Sequence, residues 1–195
     1  MLSYKESLKI LKETNALLEG HFILSSGMHS DRYVQCAQLL SKPEKAKKIC
    51  SSLAQLIKDF YPKIDIILSP ALGGVVIGYE IGRQLSINTI FAEKHEGELL
   101  LRRGFDIPKD SNVLIIEDVI TTGKSALECA KIVEYKNSIV VGFACIIDRS
   151  NNKCLIKEKI ISQVKINIET FDVKSLPKKL KTIEPIKPGS KNLTK

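Results

Sequence analysis

The sequence predicts an α/β fold, a parallel sheet flanked by helices, on three observations. Short, continuous apolar runs recur through the middle of the chain, as in Ile64–Leu68, Val113–Ile116 and Ser138–Ile147. Segments of helical period alternate with them, and that alternation indicates strands buried on both faces by helices. The chain has 195 residues, 44% hydrophobic and 27% charged, which suits one domain with a sizeable core.

Taken in order, Ser3 and Glu6 form a capping-box start, and Tyr4, Leu8, Leu11 and Leu18 keep helical spacing up to Gly20. Extended patterns over Phe22–Leu24 and Tyr33–Leu40 flank the turn-like Ser25-Ser26-Gly27, so a hairpin-like excursion is expected there. A helix opens at Ser41 and Pro43, with Ala46, Ile49, Cys50, Leu53, Leu56, Ile57 and Phe60 on one stripe. Ile64–Leu68 then reads as a strand, Gly73-Gly74 as a tight loop and Val75–Leu85 as a helix. The unit repeats with a strand over Asn88–Ala92, a polar excursion over Glu93–Ile107 that forms a hairpin or mobile loop, and a strand over Val113–Ile116. Ser125–Tyr135 is the next helix and Ser138–Ile147 the last long strand. After Leu176, Pro177, Pro185 and Pro188 among lysines give an irregular tail. The expected division is 1–40 for the N-terminal segment, 41–172 for the core and 173–195 for the tail, one domain overall.

Thirty Lys and Arg against 22 Asp and Glu give a net charge of +8, which favours an anionic partner. The basic residues are scattered, only Lys178, Lys179 and Lys181 come close together, and aromatics for base stacking are few. A solvated Lys-rich surface fits better than a nucleic-acid patch. Five cysteines at irregular spacing, without a C-x-x-C pair or nearby histidines, read as small buried hydrophobes in a reducing compartment. There is no secretory h-region, and the apolar run Ile139–Ile147 is too short to span a bilayer. A cytoplasmic protein is expected.

Ligands of open parallel sheets bind at the carboxyl ends of the strands, which draws attention to Leu114–Ser125. There an apolar strand ends in Glu117-Asp118, followed by Val119, Ile120, Thr121, Thr122, Gly123, Lys124 and Ser125. Two carboxylates can accept hydrogen bonds from vicinal sugar hydroxyls. Hydroxyls and backbone N–H groups at a helix start can cradle a phosphate. The competing reading makes Glu117 and Asp118 strand-end solvating charges and Thr122-Gly123 a helix cap. A Walker A loop is excluded, because Gly123-Lys124-Ser125 would require glycine where Asp118 stands. A second loop, Ser69-Pro70-Ala71-Leu72-Gly73-Gly74, has paired glycines that let backbone approach a ligand closely.

The Leu114–Ser125 arrangement resembles the signature of type I phosphoribosyltransferases. Phe22–Ser30, Leu101-Arg102-Arg103-Gly104-Phe105 and Ile147-Asp148-Arg149, with Lys187-Pro188-Gly189-Ser190 in the tail, resemble orotate phosphoribosyltransferases. The resemblance implies a type I phosphoribosyltransferase-like sheet with a small N-terminal hood. It implies phosphoribosyl pyrophosphate held at Glu117 through Ser125, with Glu117 and Asp118 on the ribose hydroxyls and Thr121 to Ser125 on the 5-phosphate. Ala71, Leu72, Gly73 and Gly74 would hold pyrophosphate, Thr121 and Arg149 would meet orotate, and Lys94 and Asp118 would be catalytic. Lys94 would reach pyrophosphate across a homodimer interface. Mg²⁺ is the implied cofactor, held through ligand oxygens and water without direct protein ligands. Arg149 also makes sense alone, since a guanidinium pairs with the orotate carboxylate in a bidentate fork.

The chain departs from better-known members in two places. Ser25 stands where many carry lysine, and the loop after Lys94 is shorter, with His95 followed by Glu96-Gly97-Glu98. Arg102 or Arg103 would then supply positive charge, or pair with Glu96 or Glu98. His21 and His29 read as structural or surface residues. Two alternatives stay open at this point: transfer to another base, and a non-catalytic sensor of phosphoribosyl pyrophosphate that binds nucleic acid.

Overall fold

The computed structural model describes residues 1–151 and 154–188; the Gly189-Ser190 end of the tail motif lies outside them. Six strands form the main sheet in the order β5-β4-β3-β6-β7-β8. These are β3 (Ile66–Pro70), β4 (Asn88–His95), β5 (Glu98–Leu101), β6 (Asn112–Ile120), β7 (Ile139–Asp148) and β8 (Ile160–Lys165). All neighbours pair parallel except β4 and β5, which form an antiparallel hairpin.

Period-two alternation sorts the strand residues between two cores. Ile67, Leu114, Ile116, Ala144 and Ile146 pack with α1 (Tyr4–Glu13), α3 (Pro43–Phe60) and α4 (Gly73–Leu85). Leu68, Val113, Ile115, Phe143 and Cys145 pack with α5 (Lys124–Tyr135). Close packing of α4 on the sheet needs glycine every fourth residue. A Cβ on Gly78 would collide with Ser69 Oγ, and one on Gly82 with Thr89 Oγ1.

A small second sheet, in the order β1-β2-β9, joins β1 (Leu17–Ile23), β2 (His29–Val34) and β9 (Thr170–Phe171). The short α2 (Cys36–Leu40) leads from β2 to α3, and α6 (Lys178–Lys181) lies in the tail. The tail also bridges β1: Ile23 N–H donates to Ile186 O and Ile186 N–H to His21 O, at 2.9 and 2.8 Å.

Several expected boundaries move. The capping box of α1 forms as expected, but the helix stops at Glu13. The Thr14 hydroxyl bonds back to Ile10 O, Asn15 turns left-handed at φ 59°, and Leu18 and Gly20 belong to β1. Residues 36–40 are helical instead of extended. Phe60, placed on the core stripe of α3, is 45% exposed. Gly73-Gly74 open α4 instead of forming a separate loop. β6 runs on to Ile120, so Glu117 and Asp118 lie inside the strand. β8 and β9 were not foreseen.

Candidate active site

The chain leaves β3 through α4 to β4 on one side and returns to β6 on the other. β3 and β6 are paired neighbours, so the crevice between their carboxyl ends is a switch point of the sheet, where ligands of such folds bind. The loop after β3 and the loop after β6 face each other there. The Ala71–Leu72 peptide is cis. A Cβ on Gly73 would fall 2.8 Å from Asp118 Oδ1, so backbone and carboxylate are in direct contact.

A cavity of about 710 Å³ opens at this point, lined by Leu72, Gly73, Val76, Asp118, Val119, Thr121 and Arg149 together with Val34 to Ala37, Leu40 and Ser41. A second, of about 420 Å³, is lined by Thr121, Thr122, Arg149, Ser150, Asn151 and the segment Asn167 to Phe171. Thr121 and Arg149 line both and therefore stand where the two spaces meet. Of the expected site residues, Leu72, Gly73, Asp118, Val119, Thr121, Thr122 and Arg149 come together. Lys94, Ala71, Gly74, Glu117, Ile120, Gly123, Lys124 and Ser125 line neither space. Gly123 is instead the N-cap of α5 and Lys124 its first residue; the Lys124 N–H makes a long 3.4 Å bond to the Thr122 hydroxyl, and the next N–H groups have no side-chain cap among the described residues, which leaves them available to an anion.

The adjacent carboxylates part company, because alternate strand residues point to opposite faces. Asp118 turns to the α4 side, against Gly73, and Glu117 to the α5 side, where Ser125 hydrogen-bonds it. Burial pushes Glu117 up to about 7, the neighbouring Asp118 charge adds to this, and the Ser125 hydrogen bond opposes it. Burial also raises Asp118, against a 2.9 Å hydrogen bond from Val119 N–H. Neither carboxylate has a Lys or Arg ion pair among the described residues. Two half-buried acids short of positive charge suit a ligand that brings a cation with it.

Arg149 is half-buried at the end of β7, and burial lowers its pKa while the nearby Tyr33 phenol opposes that shift. It forms no ion pair among the described residues, whereas its neighbour Asp148 takes Lys165 at 3.5 Å. A partly desolvated guanidinium that faces an open cavity and has no ion pair among the described residues, although Asp118 and Glu169 line the same spaces, invites an anionic ligand.

Lys94 lies exposed on the β4–β5 hairpin, opposite Leu99, with His95 opposite Glu98. The turn between them is only Glu96-Gly97, both at positive φ. Arg102 and Arg103 both pair with Glu93, at 3.5 and 2.9 Å, and not with the expected Glu96 or Glu98. Their charge is therefore spent within the hairpin.

His21 and His29 are buried and bonded to each other, Nε2 to Nδ1 at 2.6 Å. His21 Nδ1 lies 2.9 Å from Ile183 O, which only accepts, so it carries a proton and the neutral Nε2 accepts from His29. A bulge between Glu19 and Phe22 sits where His21 leaves the β1–β2 ladder. The structural reading of both histidines holds. Cys36, Cys50, Cys129 and Cys145 are buried with thiols raised by that burial, as small core residues should be.

Residues that the sequence did not single out include Val34, Gln35 and Ser41 on one side of the cavities and Asn167 to Phe171 on the other. Val34 and Gln35 lie in a stretch whose pattern is that of plain extended chain, and Ser41 reads only as the opening of a helix. The second follows β8, whose pattern after the polar 150–159 stretch was not read as a strand.

Residues 35–179 match the phosphoribosyl transferase domain. Among solved structures, an orotate phosphoribosyltransferase from Aeropyrum pernix superposes with a TM-score of 0.70 at 22% identity, over 81% of this chain and 92% of that one. An adenine phosphoribosyltransferase from Thermoanaerobacter pseudethanolicus gives 0.60 at 19% identity, over 69% and 88%. The shared fold therefore does not choose the base. Sequence does more: a curated orotate phosphoribosyltransferase from Chlorobium phaeobacteroides is 44% identical over 185 residues, 95% of each chain. With that identity over nearly its whole length, and the domain match across its core, the chain belongs to the orotate phosphoribosyltransferase family.

Proposed function

We propose that the protein transfers the 5-phosphoribosyl group of phosphoribosyl pyrophosphate to N1 of orotate, giving orotidine 5-phosphate and pyrophosphate in pyrimidine biosynthesis. The observation that carries this reading is Arg149, half-buried and without an acid partner at the meeting point of the two cavities. Orotate offers the carboxylate that this guanidinium lacks, and adenine has none.

Thr121 and Thr122, with Val119 and Ile120 before them, lead into the uncapped start of α5, where Gly123, Lys124 and Ser125 would receive the 5-phosphate. Ala71 to Gly74 would hold pyrophosphate through main-chain N–H groups. Asp118 sits between the two, beside the ribose position. In the reaction the C1–oxygen bond to pyrophosphate breaks, the N1–C1 bond forms, and the N1 proton leaves to solvent. Asp118 would stabilise the positive charge that develops on the sugar. Mg²⁺ brought by the diphosphate would neutralise the departing pyrophosphate, and the unpaired Glu117 and Asp118 fit a cation bound through water and ligand oxygens.

A homodimer completes the reading. Leu72, the N-cap of α4, and Val76 and Tyr79 on the helix form an exposed apolar stripe, 87%, 51% and 66% exposed. Leu72 and Val76 also line the larger cavity, so a subunit seated on the stripe would border the site. Lys94, outside its own chain's cavities, would serve that neighbour's pyrophosphate. No helix among the described residues is long and apolar enough to cross a membrane, and no described cysteine is in a disulfide; both fit a cytoplasmic enzyme. The test is turnover of orotate with phosphoribosyl pyrophosphate and Mg²⁺. Arg149→Ala should raise the half-saturating orotate concentration at least tenfold and leave that for phosphoribosyl pyrophosphate nearly unchanged; equal weakening of both would remove the assignment.

A further inference from the structure

Beside Arg149, Asp118, Thr121 and Ser41, the larger cavity has a further polar group, Gln35, contributed by the junction of β2 and α2. Its backbone is fixed by Gln35 N–H donating to Ala16 O at 2.9 Å. Its exposed side chain is oriented by the Tyr33 hydroxyl, which donates to Gln35 Oε1 at 2.8 Å. The Tyr33 ring in turn packs on the buried Phe22, with centroids 5.8 Å apart, and the Tyr33 phenol is close enough to Arg149 to act on its charge. On this exposed side chain the Tyr33 bond favours one amide orientation: Oε1 accepts from the phenol, and neither Nε2 hydrogen has a protein acceptor among the described residues. That donor lines the same space as the Arg149 guanidinium, the Asp118 carboxylate and the Thr121 hydroxyl.

We infer that Gln35, oriented by the Tyr33 hydroxyl, donates a hydrogen bond to a ring carbonyl of the base and so sets specificity for a carboxylated pyrimidine dione. The inference rests on orotate transfer as the function. Arg149 selects for the carboxylate, and a carboxylate alone does not distinguish orotate from other small aromatic acids. An oriented amide donor adds that discrimination, because a base without the carbonyl leaves the donor unpaired once water is excluded. Tyr33 acts only through Gln35 and is a positioning residue.

The test compares wild type with Gln35→Leu, Gln35→Glu and Tyr33→Phe, using orotate, 2-thio-orotate and 4-thio-orotate, since sulfur is a poor acceptor. Wild type should prefer orotate over one of the thio analogues by about tenfold in half-saturating concentration. Gln35→Leu should lose that preference, weaken orotate by about tenfold, and keep the half-saturating phosphoribosyl pyrophosphate concentration. Gln35→Glu keeps the bond from Tyr33 but has no donor left, so it should lose the preference too. Its similar size guards against misfolding as the cause. Tyr33→Phe should fall between, with orotate KM raised and kcat retained. A Gln35→Leu or Gln35→Glu protein that turns over and still discriminates would overturn the inference alone. A wild type that does not consume orotate would overturn the function and this inference with it.

Discussion

Gly73 and Asp118 are in direct contact across the crevice, the place of a Cβ on Gly73 lying 2.8 Å from Asp118 Oδ1 and 3.0 Å from its Cγ. The Asp118 side chain is short, and its Oδ1 already accepts from Val119 N–H, so it has little freedom to yield. Gly73→Ala should therefore push the carboxylate out of place without a change in fold, since Gly73 is helical and alanine favours helix. We expect kcat/KM for phosphoribosyl pyrophosphate to fall by about tenfold or more with an unchanged circular dichroism spectrum, given how steeply rates depend on placement. Wild-type kinetics in that variant would show that the contact does not matter to the site.

Glu117 predicts a proton linkage. Its carboxyl is raised to about 7 in the free protein by burial first and by the Asp118 charge second. A ligand carrying Mg²⁺ favours the ionised form, so binding releases a proton whenever Glu117 is protonated beforehand. Affinity for the Mg²⁺ complex of phosphoribosyl pyrophosphate should rise with pH up to about 7 and level off above it. Calorimetry at pH 6.5 in buffers of different ionisation enthalpy should report fractional proton release that vanishes in Glu117→Gln. Identical heats in every buffer would rule the linkage out.

The legibility of this site in sequence follows from how each part is encoded. Glu117 to Ser125 and Ala71 to Gly74 are contiguous, so local chemistry plus strand-end position singled them out as candidates, of which Leu72, Gly73, Asp118, Val119, Thr121 and Thr122 line the cavities. Their division between two faces was also written in the strand's period, in that 114 and 116 pack with α4 while 113 and 115 pack with α5. Asn167 to Phe171 reach the smaller cavity through long-range pairing of β2 with β9, and Gln35 reaches the larger one at the turn from β2 into α2, held on Ala16 O; no local pattern announces either. The hairpin was legible as an alternative, but not the pairing of Arg102 and Arg103 with Glu93, because that depends on β4 continuing past Ala92.

The His21–His29 pair makes a stability prediction. Each imidazole is buried, and His21 also holds the tail at Ile183. His29→Ala removes one partner and leaves a buried nitrogen of His21 unsatisfied, at a cost of about 1–3 kcal/mol, to which the lost packing adds. The loss should appear as a lower midpoint in urea with the slope unchanged. A surface substitution such as Lys5→Ala should leave the midpoint in place. If His29→Ala left it in place as well, the pair would not be a structural fastening.

The last prediction concerns Lys94, exposed on a hairpin outside the cavities of its own chain. A short hairpin built on the edge of the sheet is a firm arm, since four ladder pairs, Ala92–Leu101 to His95–Glu98, hold it. Such an arm reaches a neighbour's site more readily than it folds back over its own. If Lys94 serves the neighbour, each site combines Lys94 of one subunit with Asp118 of the other. Lys94→Ala and Asp118→Asn should each lower turnover by about 10²-fold, as loss of a charged group acting on the transition state does. Mixing the two inactive proteins under conditions of subunit exchange should then restore activity. Random exchange gives roughly half mixed dimers, each with one site free of both defects, so recovery should approach about one quarter of wild type. Verified exchange without recovery would place Lys94 in its own subunit's chemistry or outside the chemistry altogether.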